Sequence, residues 1–290
     1  MCTVMTTSRL FGRTMDFPPR TPWHLTYLPA GFQWQPARTQ QVVVNRYRIL
    51  GGMRHFSGHY LIGDGVNAAG VLCAELFFPV AARYASQVRW GTLPLTPQDF
   101  ITWVLGNCSS VAELAASLSR VTVVGAPWYD GNNYPFHWLL QDRTGTYLVE
   151  PLAGRLHVRV NPVGALTNTP TFDDQVARLN RRLGLGGRWF NEQVTATYHG
   201  PWPTGGNSVE RFQRAALERW QATPRSVTAM QRFLTRVTVP QTDRHRNNYT
   251  HYRAVFDRDR EEYYFSDCHT GTTIKKCLGT LNGPQAITFN

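Results

Sequence analysis

The chain has 290 residues, and 42% hydrophobic with 12% aromatic residues is a globular composition, not a disordered one. The formal net charge is +11, but the arginines are scattered and no nucleic-acid-binding motif accompanies them, which predicts a solvated basic surface without a specific nucleic acid partner. No apolar stretch has the length of a membrane span and no secretory signal is visible, so we expect a cytoplasmic protein without a membrane partner.

The first half of the chain predicts strands followed by two helices. The runs CTVMTT and LFGRTMDF predict an opening hairpin, QQVVVNRYRIL predicts one long strand, and GVLCAELFF predicts a strand buried on both faces. The stretches TPQDFITWVLGNC and SSVAELAASLSRV predict helices. Thr96-Pro97 opens the first helix, and Ser109 or Ser110 caps the second.

The second half predicts strands, then helices, then strands again. FHWLLQD, GTYLVEP and GRLHVRV predict three short strands, and DDQVARLNRRLGL, NSVERFQRAALERWQ and PRSVTAMQRFLTRV predict three helices. The final strands are THYRAVFD, EEYYFSD and TTIKKCL, while AGFQWQPARTQQ and HGPWPTGG have the composition of loops. Antiparallel strand groups interleaved with helices indicate a layered α+β protein with one domain.

The chain contains five cysteines, Cys2, Cys73, Cys108, Cys268 and Cys277. An odd number without CxxC spacing argues against a disulfide framework and against a structural zinc site. Cys73 lies in an apolar run and is expected to be an inert core thiol. Cys268 and Cys277 could approach each other across neighbouring strands, although a reducing compartment disfavours a functional pair.

Cys2 is the first candidate for chemistry. A residue this small after the initiator allows Met1 to be removed, which would place a thiol and a free α-amine on one residue. Such an amine titrates at about 7.7–8.0 and can accept the thiol proton. If the first residues form a hairpin, Arg13 would favour the thiolate by its charge and Asp16 would orient the amine or the thiol.

Several segments, taken in order, resemble the choloylglycine hydrolase family, which contains bile salt hydrolases and penicillin V acylases. They are GRTMDF, GDGVNAAGV, FHWLLQDRTGTYLVEP, NPVGALTNTPTFDDQ and NSVERFQRAA. The resemblance covers essentially the whole chain, from Cys2 to the strand of Tyr263 and Tyr264. It implies a single N-terminal-nucleophile hydrolase domain over residues 2–290, with a four-layer αββα sandwich of antiparallel sheets. It also implies hydrolysis of linear amide C–N bonds through an acyl thioester, without metal or cofactor.

The resemblance also implies roles for individual residues. Cys2 would be the nucleophile exposed by loss of Met1, and Arg13 and Asp16 match the Arg and Asp beside it. Asn168 matches the residue whose side-chain NH₂ helps to hold the tetrahedral oxyanion, and Arg211 matches an Arg that stabilises charge near the nucleophile. Each has a structural alternative: Asn168 could shape a turn, Arg211 could be a surface charge and Asp16 could be a cap or an ion-pair partner.

The chain departs from bile salt hydrolases in the strand LCAELFFP, which usually reads AGLNFP in those enzymes. Phe77 stands where they carry Asn, so only its backbone N–H could serve the oxyanion. This favours a small N-acyl substrate of the penicillin V type, with bile salts second and N-acyl homoserine lactones third. The acidic Glu75 is unusual in so apolar a strand. The expected substrate-binding residues are Phe17, Phe77, Phe56 and Trp128.

Two alternatives to this function remain open at the sequence level. A degenerate family member could be a basic binding protein with an unused site. A papain-like hydrolase would instead use Cys108, which precedes a predicted helix. The segment between Asn168 and Arg211 is shorter than in tetrameric relatives, so a homo-oligomer is possible but a tetramer is not specifically predicted.

Overall fold

The described residues form two large antiparallel sheets, two small two-stranded sheets and six α-helices. The computed structural model describes residues 2–18, 22–245 and 248–290. The strands are β1 (Thr3–Thr6), β2 (Leu10–Phe17), β3 (His24–Leu28), β4 (Gln33–Trp34), β5 (Val43–Val44), β6 (Ile49–Phe56), β7 (His59–Asn67), β8 (Leu72–Phe77), β9 (Leu93–Leu95), β10 (Val121–Val123), β11 (Phe136–Asp142), β12 (Gly145–Leu152), β13 (Arg155–Val160), β14 (Ala165–Thr167), β15 (Tyr249–Asp257), β16 (Glu262–Asp267), β17 (Thr273–Cys277) and β18 (Ile287–Phe289). The helices are α1 (Pro97–Asn107), α2 (Val111–Ser117), α3 (Phe172–Arg182), α4 (Glu192–Ala196), α5 (Ser208–Gln221) and α6 (Val227–Arg236).

The two sheets form the inner layers of a four-layer sandwich. One sheet has the order β14-β1-β2-β15-β16-β17, and the other has the order β13-β12-β11-β8-β7-β6-β3-β18. Helices α5 and α6 pack on the first sheet, and α1 packs on the second. Every residue of β2 is buried because this strand lies between the helix layer and the opposite sheet. The predicted αββα arrangement is confirmed.

Most predicted elements are present with their caps. The β1–β2 hairpin pairs Thr3 with Thr14. Thr96 caps α1 in a capping box with Asp99, and the Ser110 hydroxyl accepts the Glu113 N–H at the start of α2. These elements could be predicted because their signals are local.

The prediction of one long strand over QQVVVNRYRIL is wrong. The structure divides this run into β5 and β6, and the backbone N–H groups of Arg46 and Tyr47 donate to the carbonyl of Gly106 at 2.7 and 3.1 Å. The Asn45 side chain accepts the indole N–H of Trp34 at 3.0 Å. Contacts with α1 and β4 therefore override the high β propensity of the run.

The β6–β7 hairpin was missing from the predicted elements. Its turn residues Ser57 and Gly58 both have positive φ, 48° and 84°, which is the backbone of a tight hairpin turn. Two glycines of this hairpin, Gly52 and Gly63, face the other sheet, and an added Cβ at either would overlap Tyr252. The hairpin thus brings the two sheets close together beside the catalytic candidates.

Cys268 and Cys277 do not approach each other. Cys277 pairs with Glu262 at the start of β16, whereas Cys268 follows the end of that six-residue strand. The two cysteines are therefore offset by six residues, which at about 3.3 Å per residue separates their positions by about 20 Å along the strand.

The segment between Asn168 and Arg211 contains α3 and α4 and no β-hairpin in this fully described stretch. Within the described ranges, no helix combines the length and the apolar character needed to cross a bilayer.

Candidate active site

The buried start of the first strand forms the centre of the site. Strand β1 lies between β14 and β2, and Thr3 pairs with Thr167 on one side and Thr14 on the other. Cys2 therefore lies next to Asn168, which directly follows β14, and its side chain is only 3% exposed. Its nitrogen donates to Asn168 Oδ1 at 2.5 Å, and its thiol donates to the Asp16 carbonyl oxygen at 3.5 Å.

Arg211 fixes the orientation of the Asn168 amide. The guanidinium Nη2 donates to Asn168 Oδ1 at 3.2 Å, and Nη1 donates to Thr3 Oγ1 at 2.5 Å. Since the Cys2 nitrogen and Arg211 are both donors, the amide oxygen must face them, and Nδ2 donates to the Phe77 carbonyl at 2.9 Å. Burial lowers the pKa of Arg211, while the charges of Asp16 and Cys2 oppose this shift.

Asp16 presents different groups to different neighbours. Its carboxylate Oδ1 accepts the Thr250 hydroxyl at 2.5 Å, and Oδ2 lies 3.8 Å from Arg211 Nη1. The carbonyl oxygen of Asp16, not its carboxylate, accepts the Cys2 thiol. The side chain therefore holds Arg211 and the end of β2 in place around the sulfur.

Arg13 crosses from the first sheet into a gap between β7 and β8. Its guanidinium donates to the carbonyl oxygens of Gly63 and Glu75, the second at 3.3 Å, and lies 3.5 Å from Asp64 Oδ1. Burial acts to lower the pKa of Arg13, but Tyr252, Cys2, Asp64 and Glu75 raise it above its ordinary value. Arg13 is therefore a fixed cation whose field reaches Cys2.

Asp64 is the buried counter-charge of Arg13. Its Oδ1 accepts the Tyr252 hydroxyl at 2.5 Å, and Oδ2 accepts the Tyr263 hydroxyl. Burial raises the pKa of Asp64, while Arg13 and the two hydroxyl groups act to lower it. Two tyrosines of the first sheet thus hold a carboxylate of the second sheet against Arg13.

The backbone of Phe77 faces Asn168. Phe78 N–H donates to the Pro135 carbonyl at 2.7 Å, across the pair formed by β8 and the chain entering β11. Because successive residues of a strand point their N–H groups in opposite directions, Phe77 N–H points away from β11, to the side where Asn168 Nδ2 meets the Phe77 carbonyl. The Phe77 side chain is 37% exposed.

The four expected substrate-binding residues do not form one group. Phe17, which directly follows Asp16, packs against Trp23 and Tyr134 with ring centroids 5.4 and 5.0 Å apart. The ring centroids of Trp128 and Phe56 are 6.5 Å apart. Trp128 donates its indole N–H to Asp99 in the first turn of α1. Phe17 therefore belongs to the catalytic end, whereas Phe56 and Trp128 belong to a second aromatic group.

Comparison with known proteins agrees with this geometry. Residues 2–282 match the family model described as linear amide C-N hydrolases, choloylglycine hydrolase family. The chain belongs to the choloylglycine hydrolase family. This match spans every catalytic candidate and every described strand except β18, so the predicted family is confirmed.

Two curated relatives are bile salt hydrolase/transferases. The chain is 34% identical over 178 residues to a bile salt hydrolase/transferase of Clostridium perfringens, an alignment that covers 61% of this chain and 54% of that protein. It is 27% identical over 291 residues to a bile salt hydrolase/transferase of Lactiplantibacillus plantarum, covering 91% of this chain and 88% of the relative.

Solved structures of the family share the fold. A Cys-to-Ala mutant of the conjugated bile acid hydrolase from Clostridium perfringens superposes with a TM-score of 0.83 at 25% identity, covering 100% of this chain and 97% of that chain. The penicillin V acylase from Agrobacterium tumefaciens has a TM-score of 0.76 at 21% identity, covering 97% and 87%. The second likeness concerns the fold alone.

Sequence reasoning missed several residues of the site in this choloylglycine hydrolase family member. Arg54 is 1% exposed, lies with its guanidinium 5.4 Å from the Phe17 ring centroid, and bonds Asp130 at 2.5 Å. Tyr134 donates its hydroxyl to the same carboxylate oxygen at 2.9 Å. The available signal was a charged residue inside an apolar strand run, which applies to Arg54, Asp64 and Glu75 alike.

The buried thiols of Cys73 and Cys108 are not suited to nucleophilic catalysis. Burial raises the pKa of Cys108 to about 12, and burial together with nearby acidic groups raises the pKa of Cys73 well above its ordinary value. Both thiols therefore stay protonated at neutral pH, which disfavours the papain-like alternative.

His137 is buried, bonds the Thr167 carbonyl at 2.7 Å and supports the strand that precedes Asn168.

Glu75 predicts a specific dependence of stability on pH. Its side chain is 1% exposed, and neither carboxyl oxygen has a hydrogen-bond partner among the described residues. Burial raises the pKa of Glu75 well above its ordinary value, while Arg13 acts to lower it. The folded protein therefore keeps the proton over a pH range in which the unfolded chain has lost it, so this group makes the protein less stable as pH rises above about 4.3. Glu75→Gln should gain stability relative to wild type as pH rises.

Urea unfolding at about pH 4, 6 and 8 measures the effect. Glu113 is the control of opposite sign, since bonds from the Ser109 hydroxyl and N–H lower its pKa to about 2. Glu113→Gln should be less stable than wild type at all three pH values, because the stabilising effect of Glu113 is lost only as the pH falls through about 2. A Glu75→Gln curve that runs parallel to wild type at all three pH values would contradict the prediction.

Proposed function

We propose that this chain is a cysteine N-terminal-nucleophile amidase that hydrolyses a small N-acyl amide through an acyl thioester. The observation that carries the proposal is the convergence of Asn168, Arg211, Asp16 and Arg13 on the buried Cys2. Loss of Met1 would convert the Cys2 amide nitrogen, which has no basic lone pair, into an α-amine. That amine would stay within hydrogen-bond distance of Asn168.

The first step forms the bond between sulfur and the acyl carbon. The α-amine of Cys2 takes the thiol proton, and the charge of Arg13 favours the thiolate. As Sγ attacks the amide carbonyl, the carbonyl π electrons move to oxygen and a tetrahedral oxyanion forms. Arg211 and Asp16 hold the nitrogen and its neighbours so that little reorganisation is needed.

Two donors can stabilise the oxyanion. Phe77 N–H points to the Asn168 side of its strand, and Asn168 Nδ2 carries two hydrogens, of which one bonds the Phe77 carbonyl. The second hydrogen and the Phe77 N–H would form a pair of preorganised donors. Because the donor at position 77 is a backbone N–H, the oxyanion site does not require Asn at that position.

Collapse of the intermediate breaks the C–N bond. The α-ammonium returns its proton to the leaving amine, and the acyl group remains on sulfur as a thioester. A water molecule, deprotonated by the same α-amine, then attacks the thioester carbonyl, and the S–C bond breaks to release the carboxylic acid and the thiol.

The surroundings of the site favour an aromatic acyl group of the penicillin V type. Phe17, Trp23 and Tyr134 lie beside Asp16, and the exposed face of Phe77 adds a further apolar surface. Conjugated bile salts are the second candidate, because two curated relatives, at 34% and 27% identity, are bile salt hydrolase/transferases. N-Acyl homoserine lactones are the third.

A substrate panel tests the proposal. We expect phenoxyacetyl amides such as penicillin V to be hydrolysed with a higher kcat/KM than glycine- and taurine-conjugated bile salts or acyl homoserine lactones. Phe77→Asn should shift this ratio at least about tenfold towards bile salts, a change of about 1.4 kcal/mol in relative transition-state binding. Mass spectrometry of the purified wild-type protein should show the mass without Met1.

Each outcome of the panel decides one part of the proposal. A bile salt preference in wild type would replace the penicillin V assignment and keep the amidase mechanism. Hydrolysis of no amide in the panel, together with no alkylation of Cys2 by iodoacetamide, would favour a degenerate binding protein. Phe56→Leu is the matched control for Phe77→Asn, because Phe56 belongs to the second aromatic group and should leave the ratio unchanged.

A further inference from the structure

A second cavity lies on the α1 side of the eight-stranded sheet. It has a volume of about 260 Å³ and opens between the β3–β4 segment, the β6–β7 turn, the first turns of α1 and the chain before β11. None of Cys2, Arg13, Asp16, Asn168 and Arg211 lines it. Its volume is slightly below that of sites for drug-sized molecules, so it fits one small group.

Five Phe, Trp and Tyr rings line this cavity. The rings are Phe32, Trp34, Tyr60, Trp128 and Tyr129. Phe32 and Tyr60 meet at 66°, and Trp128 and Tyr129 meet at 77°, so their faces surround the space from different directions. His59 also lines the cavity and stacks on Tyr129 with ring centroids 3.4 Å apart. The two inclined pairs give the cavity the shape of an aromatic box.

Hydrogen bonds hold three of the rings in place. Trp34 Nε1 donates to Asn45 Oδ1 at 3.0 Å, and the Tyr129 hydroxyl donates to the Gln35 carbonyl at 2.7 Å. Trp128 Nε1 donates to Asp99 Oδ1 at 3.1 Å. The rings are therefore ordered before any ligand arrives, which lowers the entropy cost of binding.

Asp99 places a negative charge at the wall of the box. Its side chain is 2% exposed, and besides the Trp128 indole it accepts Ala37 N–H, Thr96 N–H and the Thr96 hydroxyl at 2.8–3.1 Å. Burial raises the pKa of Asp99, and these donors act to lower it. Because three of the four donors are N–H groups that can only donate, the hydrogen-bond pattern is that of a carboxylate.

No cationic side chain neutralises this carboxylate within the described part of the chain. The chain has 30 Lys and Arg residues, yet none of them is among the described residues that line the cavity. The nearest one in sequence, Arg38, is exposed and lines a different surface depression with Ala82 and Val88. His59 also lines the cavity, and burial and the nearby His55 lower its pKa. In a strongly basic protein, Asp99 therefore has no Lys or Arg beside it in the described lining of the cavity.

We propose that this aromatic box binds a small organic cation of the alkylammonium class, with a quaternary ammonium group as the best fit. Ring faces carry negative potential and attract a cation that is too weakly hydrated to prefer water. The Asp99 charge adds to that attraction, and a quaternary group needs no hydrogen-bond acceptor, so the occupied bonds of Asp99 are no obstacle. None of the five catalytic candidates lines the box, and the proposal assigns Trp128 to this ligand.

The proposal is tested by comparing choline with its neutral isostere 3,3-dimethylbutan-1-ol. The two molecules have the same shape, so their difference reports the cationic charge alone. Titration calorimetry and tryptophan fluorescence of the full-length protein should give choline at least about tenfold tighter binding. Trp34→Leu should weaken choline binding about tenfold without changing the affinity for the isostere by more than about threefold.

Asp99→Asn tests the carboxylate, and Asp174→Asn is the matched control. Asp174 accepts the hydroxyl of the N-cap Thr171 in α3, as Asp99 does for Thr96 in α1, but it does not line the box. Asp99→Asn should weaken choline binding and Asp174→Asn should not. Equal binding of choline and the alcohol, binding of neither, or choline affinity unchanged in the folded Trp34→Leu protein would each overturn the proposal.

Discussion

Replacing Cys2 by alanine is expected to abolish amide hydrolysis and to leave the fold intact. The substitution removes one sulfur that makes a single hydrogen bond at 3.5 Å, so the structural cost is small. All other groups of the site remain, but none of them can form the thioester. We expect kcat to fall by at least about 10⁴-fold, as for the loss of a nucleophile in other covalent hydrolases. Hydrolysis rates on the best panel substrate measure the effect, and rapid acid quench with intact-mass analysis should show an acyl adduct on wild type only.

Cys108→Ala is the matched control for that result. Cys108 is also buried, at 1% exposed, and has the same side chain, but its carbonyl and thiol belong to the connection between α1 and α2. The activity of Cys108→Ala should stay within about threefold of wild type. The substitution removes one buried sulfur, which affects stability but does not change the catalytic groups. Activity that survives in Cys2→Ala, or an acyl adduct that maps to Cys108, would show that Cys2 is not the nucleophile.

The sequence was informative where the signals are local or where the motif is specific to the family. The hairpin of β1 and β2, the helix caps at Thr96 and Ser110, and the identity of Cys2 as the candidate nucleophile all depend on short stretches of chain. The family match over residues 2–282 then confirms the fold class and the linear amide chemistry of the family.

Contacts over long sequence separations could not be predicted in the same way. Asp64 meets Tyr252 and Tyr263 across 188 and 199 residues, and no spacing rule connects such positions. The orientation of the Asn168 amide also depends on Arg211, 43 residues away. The sequence gives the number of aromatic residues but not their positions in the fold. The division of these residues into a catalytic group and a second group around the box could therefore not be predicted.

Breaking the Arg13–Asp64 pair is expected to have the second largest effect. Both side chains are completely buried, with 0% exposed, and the pair joins the two sheets. Removing one partner leaves an uncompensated buried charge, so Arg13→Met and Asp64→Asn should each lower the free energy of unfolding by about 3–5 kcal/mol. The double variant should lose less than the sum of the two, because neither charge is then left alone. Urea unfolding of the four proteins gives the cycle.

The two single variants should differ in reactivity even though both lose stability. Arg13→Met removes the cation that acts on Cys2, so the pH at which iodoacetamide alkylates Cys2 should rise. Asp64→Asn keeps that cation and removes a competing negative charge, so the alkylation pH should stay the same or fall. Arg188→Met is the surface control, because Arg188 pairs with Asp174 at 3.2 Å while the two side chains are 65% and 42% exposed, and its loss should cost at most about 1 kcal/mol. If the alkylation pH did not change in Arg13→Met, Arg13 would be a structural tie between the sheets and not the charge that activates the thiol.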